Sequence, residues 1–399
     1  MKPNRLLLTG LLLPAAMLLA SLADAGRAQA QGVPVRFKKT VIDTKFRAEG
    51  ACFADVNGDD KDDILAGEFW YEAPDWTPHQ LRPTKEYNGA TGYSDCFLTF
   101  SMDVDGDSLP DQIVVGYPGA AAVWRKNPGK PFTREWEQYP ITTSACNESP
   151  VLADLDGDER PELLTPFNES QMAYYTPGPD PKKGWEQHLI GEPNQPGVKR
   201  FAHGLGVGDV NGDKFADVLT TEGYYQAPVD PKKKPWKFVP VPLGPACAQM
   251  YTYDFDGDGD MDVISSSAHA IGVWWYEQSK GADGAPQFKQ HVIDNTFSQS
   301  HSLMMEDLNA DGKPDFITGK RFWAHGPNGD VNPGDPAMVF WFEFKRTGSA
   351  VEWTRHEIDN DSGVGTQFTV TKESDQRPPS IVTANKKGVF LFQRPRLAD

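Results

Sequence analysis

Six acidic loops of one spacing, seven aromatic-led segments and five late apolar runs predict an all-β chain, a β-propeller of seven four-stranded blades. The N-terminal strand is expected to close the ring by pairing with the C-terminal blade.

The loops set the period. They read Asp55-Val-Asn57-Gly-Asp59-x-x-x-Asp63, Asp103-Val-Asp105-Gly-Asp107-x-x-x-Asp111 and Asp154-Leu-Asp156-Gly-Asp158-x-x-x-Glu162. The next three are Asp209-Val-Asn211-Gly-Asp213-x-x-x-Asp217, Asp254-Phe-Asp256-Gly-Asp258-x-x-x-Asp262 and Asp307-Leu-Asn309-Ala310-Asp311-x-x-x-Asp315. Their starts lie 48, 51, 55, 45 and 53 residues apart, and each is followed by a β-type run such as Ile64-Leu65 or Val263-Ile264. A seventh, decayed copy begins at Lys372, with Ser374, Gln376 and Ser380 in place of carboxylates. Pro379 and Ile381-Val382 keep its register.

Four strands fit each period. Strand A precedes the acidic loop and strand B follows it. Strand C is the aromatic run: Val123-Trp124, Ala173-Tyr174-Tyr175, Val273-Trp274-Trp275, Val339-Phe340-Trp341 and Val389-Phe390-Leu391. Strand D starts at Phe37, Trp76, Trp136, Trp185, Trp236, Phe288 or Trp353, often with a His close behind. The first D has no A, B or C ahead of it, and the last A–B–C, about Thr366 to Gln393, has no D. Joining them removes two exposed sheet edges. The period never breaks, so residues 31–399 read as one domain, not the two or three that ~150 residues per domain would give.

Composition agrees. Gly and Pro number 37 and 33, above their ordinary combined share of about 12%, which disfavours long helices. Aromatic content of 11% argues for a packed core and against charge-driven disorder. The net charge of −17 disfavours a nucleic-acid partner, which requires a basic face.

Lys2 and Arg5, the apolar run Leu6 to Ala20 and Ala28-Gln29-Ala30 read as a cleaved signal peptide over residues 1–30. The run is short of the ~20 residues needed to span a bilayer, so no membrane span is expected after cleavage. The mature chain would be exported, to the periplasm or beyond, with a charge of −19. It keeps Cys52, Cys96, Cys146 and Cys247. Cys96 and Cys146 hold near-equivalent repeat positions and form one candidate bridge; buried free thiols are the alternative.

Carboxylates at loop positions 1, 3, 5 and 9 suit one hard cation. Ca²⁺ takes about 6–8 oxygens, the side chain at position 7 varies so that only its carbonyl would serve, and Mg²⁺ prefers to keep its waters. Gly at position 4 permits the turn, and Ala310 alone departs from it. Gly at 4 rather than 6, and the lack of flanking helices, exclude an EF-hand. Up to six structural Ca²⁺ would bring the charge to about −7.

At these residues the chain resembles the FG-GAP/VCBS repeat family, calcium-loop propellers also found in integrin α-subunits. The resemblance covers nearly the whole mature chain. It implies seven blades with Ca²⁺ in loops on one face, six competent and the seventh without ligands.

Function is expected on the opposite face, which carries the long connections Arg82 to Asp95, Gly191 to Arg200 and Arg321 to Pro336. The register six residues before position 1 holds Glu49, Phe97, Glu148, His203, Ala248, His301 and Thr366. The ends of the B strands bring Glu68, Glu222, His269, Lys320, Arg321 and Lys386 to the same level. Histidines and carboxylates on one ring suit a further divalent metal or an acid/base pair. Lys320 and Arg321 suit a carboxylate or a polarised carbonyl. No nucleophile elbow, phosphate loop or H-E-x-x-H helix is present.

Three functions fit. The first is a ligand-binding propeller, with carbohydrate stacked on aromatics such as Trp70, Tyr71, Tyr87, Tyr93 or Trp323. The second is a metal-assisted sugar lyase or dehydratase using His203 and His301, with Lys320 or Arg321 steadying an enolate. The string from His301 to Asp315 is similar to the propeller part of aldos-2-ulose dehydratase, whose further domains are absent here. The third is a protein-adhesion module.

Overall fold

Short apolar runs punctuated by turns fold into antiparallel four-strand units. The computed structural model describes residues 36–132, 134–282, 284–371 and 378–395. The expected signal segment, and Lys372, Ser374 and Gln376 of the decayed loop, lie outside the described residues. Within the described residues the structure is all-β, apart from one 3-10 turn at Pro181–Lys183.

The first sheet is A, Cys52–Ala54, B, Asp63–Ala66, C, Phe69–Glu72 and D, Thr77–Gln80, paired antiparallel in that order. The same order recurs over residues 98–142, 151–189 and 300–359. The B strands are buried almost throughout, while the D strands are mostly exposed or half-buried, as outer edges should be. Successive A strands lie side by side around a β-propeller.

The recurring His of the D marker has a packing reason. His79, His188, His291 and His356 stack on Trp70, Tyr174, Trp275 and Trp341 of the neighbouring C strand, with centroids 4.2–4.6 Å apart. Such stacked cross-strand pairs add to area burial.

Closure follows the expected pairing. Phe368–Val370, Ser380–Asn385 and Gly388–Gln393 supply A, B and C, and Lys38–Asp43 joins as D, with Lys38 opposite Gln393 and Val41 opposite Phe390. Elsewhere the sheets differ from expectation. Five have four strands, but the sixth has eight, because Leu205–Gly208 and Gln249–Tyr253 pair in parallel. Glycine explains the merger: a Cβ at Gly206 would overlap the Met250 carbonyl, and one at Gly208 the Thr252 hydroxyl. Without those carbons the two A strands approach to bonding distance.

The Cys96–Cys146 bridge is not formed. All four thiols are free and buried. Cys96 Sγ sits 2.8 Å from Thr99 Oγ1, whereas Cys146 Sγ accepts the Glu169 N–H at 3.3 Å.

The acidic loops share one build. Position 4 is left-handed in all six, with φ from 59° at Ala310 to 81° at Gly257, and position 6 is left-handed as well. The position 1 carboxylate accepts backbone N–H groups from across the turn, as Asp55 does from Asp59 and Asp60 at 2.9 Å each. Position 5 accepts the N–H of position 7 in every loop, at 2.8–3.1 Å. The buried position 9 carboxylate is a clip. Asp63 Oδ2 accepts from Val56 N at 3.0 Å and Oδ1 from Ala73 N at 2.7 Å, tying the loop to the exit of strand C. Asp111, Asp217, Asp262 and Asp315 repeat both bonds. Each oxygen keeps a lone pair, so the clip leaves room for a cation.

Candidate metal and ligand site at the axial mouth

The mouth gathers side chains from successive repeats. Glu148 precedes Val151–Ala153, His203 precedes Leu205–Gly208, His269 lies in the turn between Asp262–Ser266 and Ile271–Lys280, and His301 is on Ser300–Glu306. A backbone bond ties two of these starts: Glu148 N donates to Ala202 O at 2.8 Å. Gly204 turns the chain after His203 at φ 80°, where a Cβ would strike Cys247 Sγ.

These four residues form one cluster. His203 Nε2 is 2.9 Å from His269 Nε2, and Glu148 Oε2 is 3.4 Å from Nε2 of both His203 and His301. One ligand atom from each of the three histidines lies within 4.8 Å of the others. His301 is 1% exposed, and neither of its ring nitrogens makes a hydrogen bond. Burial, with the Arg321 charge adding to it, pushes the His301 imidazole down to about 3, so it is neutral. Burial alone would raise the Glu148 carboxyl, but its contacts with His203 and His301 hold it well below the usual carboxylate range.

Beside the cluster, Glu49 Oε2 accepts from Arg321 Nη2 at 2.7 Å in full burial. Glu49 and Glu148 outweigh burial and raise Arg321. The buried guanidinium therefore already has one carboxylate partner, while its Nε makes no hydrogen bond. Lys386 Nζ lies 4.2 Å above the Tyr93 ring and donates to Trp323 O at 2.8 Å, and burial pushes it down to about 8.

The other expected mouth residues make contacts of their own. Glu68 is buried in a network with Arg82 (3.1 Å) and Tyr87 (3.2 Å). Glu222 is exposed in the turn after Asp217–Thr220. Lys320 is buried 3.5 Å from Ser298 Oγ, and burial lowers its ammonium. Of the aromatics singled out for sugar stacking, Trp70 and Tyr71 are core residues, and Tyr87 bonds Asp95. Tyr93 donates to Ala324 O, and Trp323 stacks on Phe322.

Sequence register missed two further parts of the site. Asp330, in the connection after Arg321, lies 3.2 Å from His269 Nδ1 and 2.8 Å from His325 Nδ1. Tyr117 and Phe201 are exposed at the rim, centroids 5.8 Å apart, and Tyr117 packs on Tyr93 and Phe97. The length of the Arg321 to Pro336 connection was the available signal for Asp330; the register counted only strand ends. A cavity of about 430 Å³ lies away from this site, at the ring seam, lined by Lys38, Phe53, Trp76, Gln393 and Arg394.

Residues 103–165 and 254–318 match the FG-GAP-like repeat family model. Each stretch runs from one acidic loop through the next. Among curated proteins none matches the chain. The solved structure of BBS1N in complex with ARL6DN is similar over 91% of this chain and 97% of that one, at 9% identity and a TM-score of 0.51. A lectin from Agrocybe aegerita that recognises non-reducing terminal N-acetylglucosamine aligns over 82% of this chain and 81% of its own, at 15% identity and a TM-score of 0.48. The V. cholerae biofilm matrix protein Bap1 aligns over 68% of this chain and 40% of its own, at 16% identity and a TM-score of 0.34. The likeness to the BBS1N structure concerns the fold alone. Among the described residues no helix is long and apolar enough to cross a membrane.

Proposed function

We propose that the protein is an exported, calcium-bearing propeller that binds a carbohydrate-class ligand at its axial mouth. We count seven blades, taking the eight-stranded sheet as two because each half carries its own A–B–C–D set. The FG-GAP-like repeat would extend beyond its two matched stretches to the loops at Asp55 and Asp209, which have the same spacing. Export rests on residues 1–30, and N-terminal sequencing of the mature protein tests it.

Calcium suits the loops for reasons internal to them. The position 3 oxygens Asn57 Oδ1, Asp105 Oδ1 and Asp156 Oδ1 are buried without a hydrogen-bond partner. Carboxylate atoms at positions 1, 3 and 9 converge within 4.8 Å at Asp103, Asp105 and Asp111 and at Asp154, Asp156 and Glu162. Burial, with neighbouring loop carboxylates adding to it, pushes Asp217 up to about 7, and a bound cation would bring it down again. Side chains at 1, 3, 5 and 9 and the position 7 carbonyl would hold the ion, which would neutralise that charge and staple strands A and B.

The observation that carries the ligand reading is the convergence of Glu148, His203, His269 and His301 beside the exposed Tyr117–Phe201 rim. Aromatic faces stack on the apolar faces of sugars, and the polar groups take hydroxyls. Titration calorimetry against mono- and oligosaccharides tests this. Tyr117→Ala and Phe201→Ala should each weaken binding by about tenfold, at roughly 1.4 kcal/mol per decade. Binding unchanged in both variants would refute the rim as the contact.

A second reading, elimination of water from a keto-sugar, is favoured by the neutral His301 beside an ionised Glu148. One base would take the proton α to the carbonyl, and the β-hydroxyl would leave as water on receiving a proton. Loss of turnover in His203→Ala and His301→Ala would support it; parental turnover in both would exclude these histidines.

A further inference from the structure

We propose that His203, His269 and His301 form a divalent transition-metal centre at the mouth. The argument begins with protons. His203 Nδ1 faces the Phe201 carbonyl oxygen at 2.9 Å, and a carbonyl oxygen only accepts. The proton of a neutral His203 is therefore on Nδ1, leaving a lone pair on Nε2. His269 Nδ1 lies 3.2 Å from Asp330 Oδ1, an ionised carboxylate that only accepts, although the two make no hydrogen bond as they stand. With the proton of His269 turned toward that carboxylate, its Nε2 offers a lone pair too.

These two lone pairs face each other at 2.9 Å. Glu148 Oε2, 3.4 Å from His203 Nε2 and from His301 Nε2, adds a negative oxygen to the same space. The fully buried His301 contributes a ring with no hydrogen bond. Electron-rich atoms converge from several sides, an arrangement that a cation inside it would relieve.

Imidazole donors select the ion. Ca²⁺ and Mg²⁺ prefer oxygen, whereas zinc and its first-row neighbours take histidine nitrogens. Donors about 2.0–2.1 Å from a zinc ion in tetrahedral array stand about 3.4 Å apart. The observed spacing brackets that value, so sub-ångström shifts would close the site. The supports around it are those a metal-bound histidine uses, a backbone carbonyl on His203 and a carboxylate on His269. Asp330 is itself fixed by His325, at 2.8 and 3.0 Å from Nδ1 to its two oxygens. Three protein nitrogens leave a fourth position open, as in catalytic rather than closed structural sites. An oxygen of a bound ligand would take it, next to Glu148.

This inference rests on the proposed reading only for placing the ligand at the mouth. The test uses Co²⁺ alone, added to calcium-loaded protein after a nitrogen-donor chelator has removed transition metals. One equivalent should bind and develop the visible bands of low-coordinate Co²⁺. His203→Ala and His269→Ala should lose at least a hundredfold in affinity, and Asp330→Asn about 10–100-fold. His356→Ala, a histidine on an outer strand stacked on Trp341, should bind Co²⁺ as the parent does. Folded parent protein that takes up no Co²⁺, or variants that bind it equally well, would overturn the centre and leave a proton shared between the imidazoles. Intact Co²⁺ binding without any sugar binding would instead overturn the carbohydrate reading alone.

Discussion

Nε2 of His203 and Nε2 of His269 lie 2.9 Å apart, although the opposite nitrogen of each ring already faces an oxygen acceptor. If a metal ion reconciles them, it also links the two halves of the eight-stranded sheet. Zn²⁺ at a hundredfold over its dissociation constant should then stabilise the fold by about 2.7 kcal/mol. Melting curves with calcium held constant read this as an upward shift, absent in His269→Ala. Equal melting of the parent with and without Zn²⁺ would contradict it.

Calcium removal should act more strongly, because several loops would lose an ion together. Each site held at a hundredfold its dissociation constant contributes about 2.7 kcal/mol. Chelation should therefore lower the melting temperature sharply, and calcium should restore it. A melt that ignores the chelator would argue against structural ions.

Ala310 occupies the left-handed position that glycine holds in the other five loops, at φ 59°. A left-handed non-glycine residue costs roughly 1–2 kcal/mol. Ala310→Gly should raise stability by about 1 kcal/mol, and Gly106→Ala should lower it by a similar amount. Denaturant midpoints compare the two. No neighbouring atom lies within 4 Å of a Cβ built on Gly106, so the effect isolates backbone strain from crowding.

The Asp95 carboxyl is partly buried, which alone would raise it, yet bonds from Arg82, Lys85 and Tyr87 hold it well below the usual carboxylate range. A depressed folded value contributes stability that is present above the unfolded value of about 3.9 and is lost as pH falls below it. Asp95→Asn should be less stable than the parent at neutral pH, and the gap should narrow as pH drops from about 4 toward 2. A constant gap across that range would show that the ion pair is not its source.

Strand order, ring closure and the acidic loops were legible because each repeats, and repetition in sequence reports repeated geometry. The merger of two sheets was hidden, since Gly206 and Gly208 matter only through what approaches them. The mouth was half legible. Glu148, His203, His269 and His301 sit at fixed offsets from the loops, so a count along the strands brought them together. Glu68 and Glu222 share an offset but not a direction: one is drawn into the Arg82 network and the other stays exposed. Asp330 lies in an irregular connection where no period applies, and the rim aromatics Tyr117 and Phe201 depend on how connections fold back. Trp70 and Tyr71 looked available as sugar platforms only because residue type says nothing of depth.

The most direct measurement is anomalous diffraction from crystals grown with calcium and Co²⁺, with data on both sides of the cobalt edge. A cobalt peak within about 2.0–2.2 Å of one nitrogen from each of His203, His269 and His301, with calcium density in the acidic loops, is the predicted result. Filled loops around a mouth without cobalt would contradict the three-histidine centre.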